Sequence, residues 1–347
     1  MADVERIIPE SKTVLTDKGA IEYDYLVIAT GTKTNYFGIK NIEKHALGLK
    51  NILDSLNIRH QMLQNLELAA ITCDLEEKDA LTNFVIVGGG PAGVEMAGAL
   101  AEFRKYILPK DYPEYPYSIM KVYLVEGSGR LLPSMSEKAS SNTLEYLKAL
   151  EVEVILDEIV LDYEDNLVTT KSGRQLIAKN LIWTAGVKGQ LPNGINKNHI
   201  VGGNRLKTNS YLEVEGLEGV FAIGDIAAVI TSSTPNGHPQ VAQTAIQQGK
   251  LLAVNLMNSI NNKAMLPFQY KDKGSLPTIG KRRAVADIGR FKFAGYLAWL
   301  LWSLVHIFSI IGFRNRLLVG INWAISYFSY EKSNRIIVRK YNPSNDR

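Results

Sequence analysis

Short apolar runs that end at glycine-containing turns alternate with longer amphipathic stretches along this chain. The runs predict five buried strands, at residues 25–29, 84–87, 121–125, 181–183 and 220–223. Strands that are apolar throughout and end in a turn are typical of a parallel sheet covered on both faces, with ligands at the carboxyl ends. Residues 51–72 and 137–149 are predicted helices. Three prolines in residues 109–116 predict an irregular loop.

A glycine-rich turn follows the second predicted strand and opens a helix. Gly88, Gly90 and Gly93 have the spacing of a dinucleotide fingerprint, which would place a pyrophosphate on the helix N-terminus. Glu126 ends the next strand, where a carboxylate bonds both hydroxyls of an adenosine ribose and favours NADH over NADPH. It lies farther from the glycines than the usual spacing of about 20 residues. The additional residues are expected to form the proline-rich loop, as a surface insertion. A turn that binds no ligand is the alternative.

The cysteine count excludes some kinds of redox chemistry, and the charge is unevenly distributed along the chain. Cys73 is the only cysteine, which excludes a disulfide framework and a cysteine-pair redox centre within one chain. Residues 281–347 carry a net charge of +9, whereas the first 280 residues carry −5, and three of the four tryptophans lie in this tail. Apolar runs between the cations favour anionic lipid over nucleic acid as the partner. No secretory signal is visible at the N-terminus, and no metal site is predicted.

Two further turns carry a family resemblance. Ala29, Thr30 and Gly31 follow the first predicted strand, and Gly224 and Asp225 follow the last. Alone, each is an ordinary strand end. Together, around a dinucleotide unit, they resemble the flavoprotein reductases with two dinucleotide-binding domains, in which the first turn lines the FAD site and the second binds the ribityl chain.

The resemblance narrows to the type II NADH dehydrogenases, single-subunit NADH:quinone reductases. The segments that carry it are residues 183–186, 241–249, 280–286 and 312–316. It implies an α/β fold with two Rossmann-like dinucleotide-binding domains and a C-terminal membrane-associating helical region. FAD and NADH are the implied cofactors, with Ala185, Gly186 and Ala242 as further cofactor-binding positions.

The resemblance also predicts the domain boundaries. The FAD-binding domain is expected at residues 1–80 and 195–265, the NADH-binding domain at 81–194 and the membrane-association region at 266–347. Family members begin with a glycine-rich unit that binds the FAD pyrophosphate, and none precedes Tyr25. The first domain is therefore expected to be incomplete at the N-terminus, as in a fragment, a chain whose start is assigned late or a degenerate paralogue.

Three side chains are candidates for catalysis. Glu95, on the first turn of the fingerprint helix, lies where the family places a carboxylate near the nicotinamide and quinone path, and it is expected to manage protons. A helix-start acid favoured by the dipole is the alternative. Gln243 and Gln247 share one helix face; in the family this helix lies beneath the flavin, and the first glutamine contacts the quinone. The alternative is that both amides are ordinary polar side chains on the protein surface, without a role in catalysis.

The C-terminal tail bears on localisation. Residues 293–313 contain no formal charge and could span a bilayer by length, but the family docks amphipathic helices into one leaflet, which favours docking.

The expected protein is a peripheral enzyme on the cytoplasmic face of the cell membrane that passes electrons from NADH to quinone without pumping protons. The resemblance leaves open whether the chain forms a homodimer. The alternatives are a reductase for a soluble carrier and a non-catalytic remnant that binds NADH.

Overall fold

The computed structural model describes residues 1–113, 115 and 119–328, which form two compact units. Residues 1–33 and 187–273 form the first unit, and the second combines residues 34–186 with the chain from 274 onward. These boundaries differ from the predicted ones at 80, 194 and 265. Residues 34–80 belong to the second unit because their short strand pairs in its central sheet, and the C-terminal segment packs against a helix of the same unit.

The elements are numbered along the chain. The strands are β1 Val4–Ile8, β2 Thr13–Thr16, β3 Gly19–Glu22, β4 Leu26–Ile28, β5 Thr32–Thr34, β6 Leu47–Gly48, β7 Phe84–Val87, β8 Val122–Val125, β9 Glu153–Ile155, β10 Val160–Glu164, β11 Leu167–Thr170, β12 Gln175–Ile177, β13 Asn180–Trp183, β14 Val187–Gly189, β15 Ile200–Val201, β16 Arg205–Thr208, β17 Val220–Ala222, β18 Ala227–Val229, β19 Ala284–Ile288 and β20 Phe291–Gly295. The helices are α1 Lys40–His45, α2 Ile52–Ile71, α3 Leu75–Thr82, α4 Pro91–Glu102, α5 Leu108–Asp111, α6 Glu137–Ala149, α7 Ala242–Ile260, α8 Tyr296–Ser309 and α9 Phe313–Phe328.

The second unit is built on a parallel sheet of five strands in the order β6-β13-β7-β8-β9. All four residues of β7 are buried, as its apolar run predicts. Phe84 and Ile86 pack with helices α2, α4 and α6 on one face. Val85 and Val87 pack on the other face with the antiparallel sheet β10-β11-β12. The prediction of a parallel sheet covered on both faces is confirmed here.

The first unit contains smaller sheets. Strands β1-β2-β3 are antiparallel, β18 adds in parallel to the β15-β16 hairpin, and β4 pairs in parallel with β17. Ile28 and Ala222 are register partners at the ends of β4 and β17. The two predicted flavin turns therefore leave adjacent strands at the same edge.

The proline-rich segment differs from its prediction. A π-helical turn at Phe103–Ile107 continues α4 into α5, so the chain stays helical as far as Asp111. Pro109 lies in the first turn of α5, where its missing N–H is not needed. Part of the surplus between the glycines and Glu126 is thus helix rather than irregular loop.

The apolar stretch at residues 293–313 is divided between two kinds of element. Its first residues complete the β19-β20 hairpin, and α8 follows with only 14 residues. At about 1.5 Å per residue, α8 is shorter than the hydrocarbon core of about 30 Å. Among the residues described, no helix combines the length and apolar character that a membrane crossing needs. Residues 329–347 of the predicted membrane-association region lie outside the described residues.

Candidate functional site

The turn between β7 and α4 is held by close backbone packing. Gly88 has φ +110°, and a Cβ there would lie 2.7 Å from the Ala185 Cα. A Cβ on Gly93 would overlap the Gly88 carbonyl oxygen, whereas one on Gly90 would meet no atom within 4 Å. The Thr184 hydroxyl bonds the carbonyl oxygens of Val87 (2.8 Å) and Gly88 (3.1 Å). Gly88 and Gly93 are therefore required by packing, and Gly90 faces open space, as a cofactor approach requires.

Glu126 directly follows β8 beside this turn, and its carboxylate is fixed by three groups. Oε2 accepts the Gly89 N–H (2.5 Å), and Oε1 accepts the Ser128 N–H (2.8 Å) and lies 2.7 Å from the Ser128 hydroxyl. A cleft of about 280 Å³ opens at this end of the sheet. Its lining consists of Phe37, Ile39, Val87, Gly88, Val125, Glu126, Gly127, Glu158, Ile159, Val160, Trp183 and Ala185.

Phe37 is a cleft residue that the sequence analysis missed. It has φ +52° and is 61% exposed, an unusual combination for an aromatic residue. The Asn35 side chain accepts the Phe37 N–H (3.0 Å), while the Asn35 backbone bonds Gly186 and the Trp183 indole. A Cβ on Gly186 would lie 3.1 Å from the tip of the Phe37 ring. The predicted positions Ala185 and Gly186 thus lie beside the Phe37 ring. In the sequence, Phe37 is marked only by the glycine that follows it, Gly38.

The predicted flavin turns lie together in the first unit. The Asp225 carboxylate accepts the Thr32 hydroxyl (3.1 Å), and the Gly31 carbonyl accepts the Gln190 N–H (3.0 Å). The Thr30 hydroxyl donates to the Gln190 carbonyl (2.6 Å), and Ala29 and Thr30 are exposed. Gly31 has φ +67°, and a Cβ there would meet no atom within 4 Å. The turns therefore leave open space beside a fixed carboxylate.

Gln248 is a second missed residue, and it holds the Gly224–Asp225 turn in place. Its side chain is 1% exposed, and Oε1 accepts the Gly224 N–H (2.7 Å). Gln240 donates to the Asp225 carbonyl (2.9 Å). Gly224 itself has φ +75°. Nothing near the turn in sequence signals this contact, because Gln248 lies 24 residues away on α7.

The predicted pair Gln243 and Gln247 does share one face of α7. Gln243 Oε1 accepts the Lys273 N–H (2.9 Å), and Gln247 exchanges two hydrogen bonds with the Lys271 backbone (2.9 and 3.0 Å). Both amides therefore bind the segment that follows α7. Ala242 is exposed in the first turn of the helix.

Glu95 is the fifth residue of α4, so it lies in the second turn rather than the first. A dipole effect falls off within the first turn, which weakens the helix-start alternative. Its Oε1 accepts the Thr278 N–H (3.1 Å), with the Thr278 hydroxyl at 3.5 Å. Burial raises the pKa of the Glu95 carboxyl, while the Thr278 N–H and the charge of His306 oppose that rise.

Glu102, seven residues further along α4, makes a parallel contact with the same segment. Its Oε1 accepts the Lys281 N–H (2.5 Å), and burial also raises the pKa of this carboxyl. Glu95 and Glu102 therefore share one helix face and hold residues 278–281 against it.

A second groove lies between α8 and α9 and is apolar. It has a volume of about 450 Å³, and Trp302 stacks on Trp323 across it at 5.2 Å. Ser303, His306 and Ser309 recur every three residues and form a polar stripe on α8, and each bonds the carbonyl four residues earlier in its own helix. This pairing lowers the cost of placing α8 in an apolar medium.

The geometry agrees with the comparisons with known proteins. The model of the family described as "Pyridine nucleotide-disulphide oxidoreductase" matches residues 1–249, and that described as "NDH2 C-terminal domain" matches residues 273–329. The chain is 33% identical over 318 residues to "Type II NADH:quinone oxidoreductase Ndh" of Mycobacterium tuberculosis, covering 88% of this chain and 67% of that protein. The chain belongs to the type II NADH:quinone oxidoreductase family.

Other members of this family and a solved structure show the same likeness. The chain is 31% identical to the "External alternative NADH-ubiquinone oxidoreductase, mitochondrial" of Yarrowia lipolytica, covering 87% of this chain and 61% of that protein. The chain thus spans about two thirds of the length of these curated relatives. The structure of "NDH2 from plasmodium falciparum in complex with NADH" superposes with a TM-score of 0.87 at 22% identity, covering 97% of this chain and 85% of that one. Family membership implies FAD and NADH as the cofactors, as predicted.

Proposed function

We propose that this chain oxidises NADH and passes the electrons through FAD to a membrane quinone, without pumping protons. The cleft beside Gly88 and Glu126 is the observation that carries the proposal. It combines an open backbone turn with a fixed carboxylate, the pair that NADH recognition needs. The name of the Mycobacterium tuberculosis relative supplies quinone as the acceptor.

The residues of the first unit fit one part of a flavin. Open space beside Gly31 and the Asp225 carboxylate suit a hydroxyl-bearing chain such as the ribityl group. Asp225 would bond these hydroxyls, and Gln248 would keep the Gly224 turn in position. When bound, FAD accepts a hydride from a nicotinamide and releases two electrons to an acceptor.

The cleft and the glycine turn beside it would bind and orient NADH. Gly90 lets the pyrophosphate reach the N-terminus of α4, and Glu126 would bond the ribose. The Phe37 and Trp183 rings, whose centroids lie 6.4 Å apart, form an apolar wall that excludes water. Cys73, the only cysteine, is exposed, so an acceptor other than a cysteine pair within this chain is required.

Glu95 would handle a proton during quinone reduction. A carboxyl whose pKa is raised by burial holds and releases protons closer to neutral pH than an exposed carboxyl does. Its hydrogen bond from Thr278 fixes the carboxyl in one orientation. Gln243 and Gln247 would act on the acceptor side, by keeping residues 271–273 in place as well as by any direct contact.

Helices α8 and α9 would dock the protein on one leaflet. Many apolar side chains of these helices and of the turn between them are exposed, among them Leu297, Phe308, Ile311 and Phe313. Cations flank them, and the net charge of +9 from residue 281 onward favours anionic lipid. We expect co-sedimentation with anionic vesicles and release by high salt or alkali. Resistance to both treatments would contradict docking, as would equal binding to neutral vesicles.

A visible spectrum tests the central proposal. The purified chain, incubated with FAD and freed of excess, should show flavin absorption that NADH bleaches and a soluble quinone restores. Bleaching that only a soluble protein carrier reverses would favour the alternative reductase. A chain that binds NADH but retains no flavin would favour a non-catalytic remnant.

A further inference from the structure

The NADH cleft contains a second carboxylate that the proposed function does not use. Glu158 lines the cleft with Glu126 and is only 8% exposed. The Glu158 N–H donates to the Glu126 carbonyl (3.0 Å), so the two residues are neighbours in the fold. Glu158 is buried and Glu126 is half-buried. A carboxylate that is removed from water is costly unless it is hydrogen-bonded, so two of them in one cleft require an explanation.

Each of these carboxylates is held by one serine. Ser128 donates its N–H to Glu126 (2.8 Å), and its hydroxyl lies between Glu126 Oε1 (2.7 Å) and the Arg130 carbonyl (2.9 Å). Ser172 donates its N–H to Glu158 (3.1 Å), and its hydroxyl donates to the other Glu158 oxygen. Hydrogen bonds from Ser172, above all, hold the pKa of Glu158 below its ordinary value. Both acids are therefore fixed in position, and Glu158 stays ionised at neutral pH.

The charged residues that line the cleft are all acidic. Among the described residues that line it, two are acidic and none is lysine or arginine. Arg130, the nearest basic residue along the chain from Glu126, donates instead to the Pro133 carbonyl (2.6 Å). A 2′-phosphate beside the adenosine ribose would meet like charges without a compensating cation. A mobile glutamate could swing away from such a group, but one held by three hydrogen bonds cannot do so without losing them.

We propose that Ser128 and Ser172 are positioning residues that make this cleft selective for NADH over NADPH, by fixing Glu126 and Glu158 where a 2′-phosphate would lie. The inference rests on the proposed use of NADH. It extends that use to a pair of serines and to a second acid, Glu158.

The test measures binding of ADP-ribose and of its 2′-phosphate to the full chain by calorimetric titration, which requires neither flavin nor quinone. We expect the native chain to prefer ADP-ribose by a factor on the order of 100. Ser128→Ala should lower this preference about tenfold, since a hydrogen bond to a charged group is lost. Ser172→Ala and Glu158→Gln should lower it as well, and Ser128→Thr should restore it.

Ser134→Ala is the matched control, because Ser134 is an exposed serine of the same connection and does not line the cleft. It should leave both affinities unchanged. If Ser128→Ala and Ser172→Ala weaken both ligands by the same factor, the serines are merely structural and the proposal is overturned. A native chain without a preference for ADP-ribose also overturns it. Selective binding without quinone reduction would contradict the proposed function alone.

Discussion

Two glycine turns, at Gly88 in the second unit and at Gly224 in the first, are held by different means. The Gly88 turn is fixed by backbone packing: a Cβ on Gly88 would collide with the 184–185 backbone, and one on Gly93 would overlap the Gly88 carbonyl oxygen. The Gly224 turn is fixed by a side-chain amide, since Gln248 reaches it from α7. A turn held by packing is recorded in local glycine spacing, whereas a turn held by a distant amide is not. Both turns can be predicted from the sequence, but only the packing of the first leaves a local sequence pattern; the Gln248 contact that holds the second is seen only in the structure.

Gly93→Ala should break the packed turn and have the largest effect. Its Cβ would overlap the Gly88 carbonyl oxygen, so we expect a loss of about 1–3 kcal/mol in the free energy of unfolding, with loss of NADH binding. Gly90→Ala is the matched variant, because its Cβ meets open space. It should keep native stability while lowering NADH affinity at least about tenfold. Denaturant unfolding and calorimetric titration separate the two effects, and equal stability losses would contradict this account.

Gln248→Ala should break the other turn. The Gly224 N–H would lose its acceptor, which costs about 1–3 kcal/mol of unfolding free energy for a buried donor. Flavin retention should fall while NADH binding stays native, because Gln248 lies in the first unit and the NADH cleft in the second. Lys250→Ala, at an exposed position of α7, is the control. A loss of NADH affinity in Gln248→Ala would show that the two turns are not independent.

Glu95→Gln tests whether the helix after the packed turn does more than hold residues 278–281. We expect quinone reduction to fall about 100-fold, the usual scale of a lost proton-transfer group. Glu102→Gln is the matched control on the same helix face and should keep most of the rate. Comparable losses in the two variants would indicate a shared structural role.

Unfolding at several pH values gives the Glu95 variant a second readout. A folded pKa raised above the ordinary 4.5 means that the folded state binds the proton more tightly. The resulting stabilisation is fully present below pH 4.5 and is lost as the pH rises through the raised pKa. Glu95→Gln should flatten this part of the stability curve. An unchanged curve would argue against a buried, titrating carboxyl.

Phe37→Ala should have the smallest effect of the set. Losing one aromatic wall of the cleft should raise the KM for NADH about three- to tenfold with kcat nearly unchanged. Phe37→Tyr, which keeps the ring, is the control. Steady-state rates at saturating quinone would show the split, and a fall in kcat alone would exclude a role in NADH binding.

The residues of the proposed NADH cleft show how much of the site could be predicted from the sequence. Gly88, Gly93 and Glu126 could be predicted because the pattern they form is local, within one strand–turn–helix unit and the strand after it. The contacts of Phe37 and Thr184 were not predicted, since Phe37 reaches the cleft and Thr184 reaches the Gly88 turn from segments distant in sequence. The short helix containing Pro109 was missed because proline was taken as a helix breaker, although a first-turn proline is tolerated.

The sequence by itself determined the parallel sheet, the dinucleotide turn, the lone cysteine and the basic, apolar tail, because periodicity, glycine spacing and charge act over short stretches of chain. Only the tertiary structure decided that residues 34–80 belong to the unit of the five-stranded sheet, that Gln248 holds the Gly224 turn, and that Ser172 fixes a second acid in the cleft. These contacts join residues that are far apart in the chain, and the loop closure that brings such residues together leaves no local pattern.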